Sequence, residues 1–159
     1  MNNNNGLTNQ AVYDLFNRQL AVWQQASDNF SALANVGVKE VTVGGFPVKV
    51  QFNPARIVSS AAKVDPKTIK ERKCFLCGAN RPAIQEGLPF VGKKMEYSVL
   101  INPFPIFPKH LTVPDVTHVN QTIEGEYERF EDMLTLAETL DDFLFFYNGP
   151  KCGASAPDH

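Results

Sequence analysis

The spacing of apolar residues changes period along this chain, and that change restricts it to folds mixing helices with antiparallel strands. Val12, Leu15, Phe16, Leu20, Trp23, Ala26, Phe30 and Leu33 recur at steps of three and four, which builds one face of a helix. Thr8 or Asn9 is placed to cap it. Residues 39–43 and 46–52 alternate instead, on either side of Gly44-Gly45, a pair able to supply the positive φ of a hairpin turn. Residues 97–101 and 109–113 read as further strands. Between them, Asn102-Pro-Phe-Pro-Ile-Phe-Pro108 lacks the donors a central ladder needs, so it belongs on an edge or in a loop. Residues 124–142 return to helical spacing through Tyr127, Phe130, Leu134, Ala137 and Leu140. Phe143-Leu-Phe-Phe-Tyr147 reads as a last, buried strand. The expected class is α+β: a mostly antiparallel sheet from segments near 39–52, 97–113 and 143–148, flanked by helices near 9–34 and 124–142. Residues 1–8 read as a disordered polar tail and 9–159 as a single domain.

Composition narrows the function. Net charge is −2, so no broad basic surface offers itself to nucleic acid. The one basic-rich stretch, with Lys63, Lys67, Lys70, Arg72 and Lys73, is most simply a solvated face. No apolar run reaches membrane-spanning length, and the Asn-rich start is not a signal peptide. Three cysteines, two of them in one C-x-x-C, suit a reducing compartment and a metal or redox role. A cytoplasmic protein is expected. Cys152 reads as a plain thiol.

Two stretches carry chemistry. Residues 148–159 run Asn-Gly-Pro-Lys-Cys-Gly-Ala-Ser-Ala-Pro-Asp-His. Small residues there let backbone N–H groups approach an anion, and Ser155 adds a donor; the plain alternative is a glycine turn after a core strand. The other is Cys74-Phe-Leu-Cys77. Two thiolates at that spacing grip one soft cation. A thioredoxin-like redox pair is the competitor, but the βαβ surroundings it needs are absent. Spacing alone does not join either Cys to a histidine.

The motifs together resemble a known family. Cys74-Phe-Leu-Cys-Gly-Ala-Asn80 is similar to the zinc-binding segment of galactose-1-phosphate uridylyltransferases. Pro108-Lys-His110 with Leu111-Thr-Val113 resembles the Pro-x-His strand of the histidine-triad superfamily. Tyr147-Asn148 with Gly153-Ala-Ser155 and Pro157 resembles the Tyr-Asn…Gly-Ala-Ser-x-Pro-His-x-His-x-Gln pattern of that superfamily's transferase branch. The branch includes diadenosine tetraphosphate phosphorylases (ATP adenylyltransferases) and GDP-hexose phosphorylases. The three motifs keep the family's order from Cys74 to His159.

The resemblance implies a histidine-triad-like fold and a structural zinc held by Cys74, Cys77, His110 and His159. It implies nucleotide or phosphate contacts at Asn102, Asn148, Gly153 and Ser155, and a nucleotide or nucleotide-sugar substrate. The reaction would be nucleotidyl transfer or phosphorolysis through a nucleotidyl-histidine. Two departures stand out. Asp158 intervenes between Pro157 and His159, where the family has Pro directly before His, so Asp158 could displace the ligand register. The nucleophilic histidine belongs two residues after His159, beyond the last residue. The expectation is an incomplete C-terminus and an inactive chain. A homodimer is expected if the sheet ends on an open edge. The alternative is a non-catalytic zinc-stabilised module that binds a nucleotide or a protein.

Overall fold

The computed structural model describes residues 6–57, 61, 63–150, 152, 154–157 and 159. Among these the chain is a small α+β fold with two separate antiparallel sheets. Helix α1 spans Asn9–Val22 and α2 spans Gln24–Ala32. The Thr8 hydroxyl accepts from the Ala11 N–H and caps α1. The single apolar face from 12 to 33 is therefore broken at Trp23, whose backbone (φ −105°, ψ 89°) leaves the helical region. Leu7, expected in the disordered tail, is instead buried in the core.

Strands β1 (Gly37–Val43) and β2 (Phe46–Phe52) form the hairpin. Gly44 and Gly45 turn it with φ of +58° and +86°, values that L side chains rarely tolerate. The register pairs Val41 with Val48, Val43 with Phe46 and Lys39 with Val50, so Val41, Val43, Phe46, Val48, Val50 and Phe52 share one face. That face is open to solvent: Phe46 is 74% and Phe52 70% exposed.

After a short helix α3 (Pro66–Glu71), β3 (Gly87–Val91), β4 (Glu96–Ile101) and β5 (Leu111–Thr112) make the second sheet, in the order β3-β4-β5. The expected continuous sheet from 39–52 through 97–113 does not form, and the prolines explain why. The strip from 102 to 108 cannot donate a ladder, so its carbonyls take side-chain amides instead. Asn29 Nδ2 donates to the Pro103 carbonyl (2.8 Å), Asn53 Nδ2 to Pro105 (3.1 Å) and Gln51 Nε2 to Ile106 (3.1 Å).

Helix α4 (Tyr127–Thr139) follows. The core lies between α1, α4 and one face of the second sheet: Val12, Leu15, Phe16, Phe90, Tyr97, Val99, Ile101, Leu136 and Leu140. Gln19 is fully buried among them yet satisfied, donating to the Ile84 carbonyl and accepting from the Glu86 N–H.

The expected last strand at 143–147 is not a strand. Its side chains do alternate, with Phe143 and Phe145 half-buried against the core and Leu144 89% exposed. Among the described residues no strand pairs with it, and alternation without a ladder partner leaves an extended segment.

Candidate metal centre

The Cys74–Cys77 turn is held by its own sequence. Asn80 Nδ2 donates to the Cys74 carbonyl (2.8 Å), while the Asn80 and Arg81 N–H groups donate to the Cys77 carbonyl (2.9 and 3.2 Å). These bonds close the turn and point both sulfurs to the same side. Arg72 Nη2 donates to the Ser155 carbonyl (2.6 Å), fastening the residues before the turn to the end of the chain.

His159 meets the sulfurs there. Its Nδ1 lies 3.2 Å from Cys74 Sγ and 3.7 Å from Cys77 Sγ. Its Nε2–H donates to the Asp115 carbonyl at 3.0 Å. That bond assigns the proton to Nε2 and turns the Nδ1 lone pair toward the thiols. His118 supplies the other imidazole: its Nδ1 is 3.2 Å from Cys77 Sγ, and its ring stands edge-on to His159 with centroids 5.0 Å apart.

The donor atoms of Cys74, Cys77, His118 and His159 all lie within 4.8 Å of one another. A zinc tetrahedron with ordinary Zn–S and Zn–N bonds separates its donors by about 3.3–3.8 Å, so this set can hold a metal ion. Charge agrees with burial. Two thiolates neutralise a divalent cation, and no net charge is left beside the buried Cys74 and His159. Cys77 is half-buried and His118 exposed, so the set is dry on one side and faces solvent on the other.

The structure thus brings together three of the four ligands expected from the sequence and replaces the fourth. His110 is the correction. Its Nδ1 accepts from the Ile106 N–H at 3.3 Å, and its ring packs against Phe107 and Phe146. It is not among the clustered donors. Strand spacing placed His110 beside an apolar stretch, as suits a packed side chain. His118, three residues past Asp115 in a loop, carried no signal beyond being a histidine. Of the pair Asp158 and His159, His159 is the residue seen among the clustered donors; Asp158 lies outside the described residues.

Burial, with the Arg56 charge adding, lowers the His110 pKa from 6.5 to about 4. The folded state keeps this ring neutral where an unfolded chain would take up a proton. Its contribution to stability is therefore full above pH 6.5 and is lost as pH falls toward 4. We expect His110→Gln to lose less stability than wild type between pH 7 and pH ~4.5, read from urea midpoints. Parallel pH profiles would refute the assignment.

The expected nucleotide contacts have structural partners of their own. Asn102 Nδ2 donates to Thr112 Oγ1 (3.0 Å) and its Oδ1 accepts from the Phe104 N–H (2.9 Å), so this side chain opens the Pro-rich loop. The Asn148 carbonyl accepts from Gln121 Nε2 (2.6 Å). Ser155 is bound through its carbonyl by Arg72, as above. Gly153 lies outside the described residues. Ala154 and Ala156 are buried, which fixes the described end of the loop beside the cluster. No helix among the described residues is long and apolar enough to cross a membrane.

A protein-family model described as Domain of unknown function (DUF4922) matches residues 15–159. The chain belongs to the DUF4922 family. No curated protein and no solved structure matches the DUF4922 chain. The match runs from α1 to His159, so both halves of the donor cluster lie inside the DUF4922 region.

Proposed function

We propose that the cluster is a structural zinc site and that the chain is the nucleotide-binding part of a histidine-triad-like nucleotidyltransferase or nucleotide phosphorylase. The observation that supports this reading best is the Cys₂His₂ donor set reached by His159 at the end of the small-residue loop. Zinc would cross-link the Cys74 turn, the His118 loop and the C-terminal residues; four protein donors complete its tetrahedron, the arrangement of a structural site. With the loop end fixed, backbone donors near Ser155 would be held ready for phosphoryl oxygens at little cost in ordering.

In the transfer itself, an imidazole nitrogen attacks the α-phosphorus of the bound nucleotide. The bond to the phosphorylated leaving group breaks as the P–N bond forms. An acceptor oxygen then attacks phosphorus and restores the imidazole. The histidine-triad pattern that the motifs resemble places that imidazole two residues after His159; the residues around Ser155 would bind and orient the nucleotide for it. A homodimer paired through an open sheet edge belongs to the same reading.

Elemental analysis should find about one zinc per chain. Titration calorimetry with nucleoside diphosphates and triphosphates should show saturable binding that weakens after chelation. Zinc-loaded protein with no saturable nucleotide binding would refute the nucleotidyltransferase reading. Nucleotide binding without a labelled histidine adduct, in a chain extended after His159 by x-His-x-Gln, would favour the non-catalytic module.

A further inference from the structure

His159 is held by the main-chain carbonyl of a residue whose side chain is gripped by an ion pair from another element. Asp115 O accepts from His159 Nε2. The segment around Asp115 is pinned to β4: Ser98 N–H donates to the Pro114 carbonyl (3.0 Å), Val116 N–H to the Glu96 carbonyl (2.8 Å), and Asp115 bridges to Tyr97. The Asp115 side chain meets Arg129 of α4, with Nη1–Oδ2 at 2.5 Å. Both members are withdrawn from water, with side chains 18% (Arg129) and 5% (Asp115) exposed.

One detail gives the pair a direction. Asp115 Oδ1 and Arg129 Nε are both buried without a hydrogen-bond partner among the described residues. The orphan acceptor and the orphan donor belong to the two halves of one ion pair. Neither charge is fully hydrogen-bonded, so each depends on the Nη1–Oδ2 contact it does make. The pair is therefore built to hold Asp115, and through it the orientation of His159.

We propose that Arg129 is a positioning residue for the metal centre: by gripping Asp115 it fixes the carbonyl that sets the His159 tautomer. The inference rests on the metal-site reading above. It makes α4, which contributes no ligand, a determinant of metal affinity.

The test uses the full chain. Zinc affinity is measured by chelator competition, and the ligand field by visible absorption of the cobalt(II)-loaded protein. Removing outer-shell partners of ligating histidines typically weakens metal binding about 10- to 100-fold. Arg129→Met should show a loss of that size and an altered cobalt spectrum, and Arg129→Lys should recover part of both. Tyr97→Phe removes a different bond to α4, the one from Tyr97 OH to Asp132, and should change neither. Wild-type affinity and spectrum in a folded Arg129→Met would overturn the proposal, as would an equal loss in Tyr97→Phe.

Should Arg129→Met not fold, nitrogen-15 spectra of the zinc-loaded wild-type protein still decide. They should show metal on His159 Nδ1 and an exchange-protected proton on Nε2; metal on Nε2 would overturn the proposal. Failure of the wild-type chain to bind either metal would instead sink the metal site itself, and this inference with it.

Discussion

Alanine at position 118 is expected to abolish stoichiometric zinc binding, while alanine at 110 should leave it intact. The two histidines are eight positions apart in one stretch of chain, yet their rings have different occupations. His118 Nδ1 faces Cys77 Sγ at 3.2 Å, within the four-donor cluster. His110 Nδ1 is occupied by the Ile106 N–H, and its ring packs against phenylalanines. Loss of a ligand should exceed the cost of losing an outer-shell partner, so affinity should fall by more than about 100-fold in His118→Ala. Because binding to a structural site is folding free energy, chelator should also stop lowering the melting temperature of that variant. His110→Ala should destabilise the fold modestly and still carry zinc after dialysis. Zinc lost at 110 and kept at 118 would show the wrong histidine has been placed in the site.

Asp132→Ala should cost about 2–5 kcal/mol, because it strips the acceptor from two donors at once. Asp132 is buried on the inner side of α4. Its Oδ2 accepts from Tyr97 OH at 3.0 Å and its Oδ1 from the Lys93 N–H at 2.7 Å. Burial, then the bond to Asp132, pushes the Tyr97 pKa further above its ordinary value, so the phenol stays a donor at neutral pH. Helix α4 is thereby bolted to both β4 and the turn that precedes it. The chain at Gly92 passes so close that a Cβ there would lie 2.1 Å from Asp132 Oδ2, so Gly92→Ala should disturb the same contact. In a domain of this size the loss corresponds to a fall of roughly 5–15 °C in melting temperature. Asp132→Asn, which keeps one acceptor, should lose less. Urea unfolding of the zinc-loaded protein measures both; a cost below about 1 kcal/mol for Asp132→Ala would show that water replaces the carboxylate there.

Much was legible in local chemistry. Gly44-Gly45 between alternating runs fixed the hairpin, because few other residues hold two successive positive φ values. Thr8 or Asn9 marked the start of α1, and Cys74-x-x-Cys77 with Asn80 marked one half of the candidate metal site, since the bonds that shape that turn lie within it. The acidic face of α4 concealed Asp132, whose acidic neighbours Glu128 and Glu131 are solvated while its own carboxylate is buried. Period alone also misled at 143–147, where alternation was present but a strand to pair with was not.

By itself the sequence determined what depends on neighbours a few residues apart: turn, caps, the α+β class and the paired thiols. Only the tertiary structure decided which imidazoles meet those thiols. His110 and His118 flank the same short strand, and no local rule separates them. The outcome follows from the bridge of Asp115 to Tyr97 and the grip of Arg129, which set the chain's exit from β5 toward Cys77. A donor cluster assembled from three distant segments is a long-range contact, and its partners are chosen by packing that spacing does not encode.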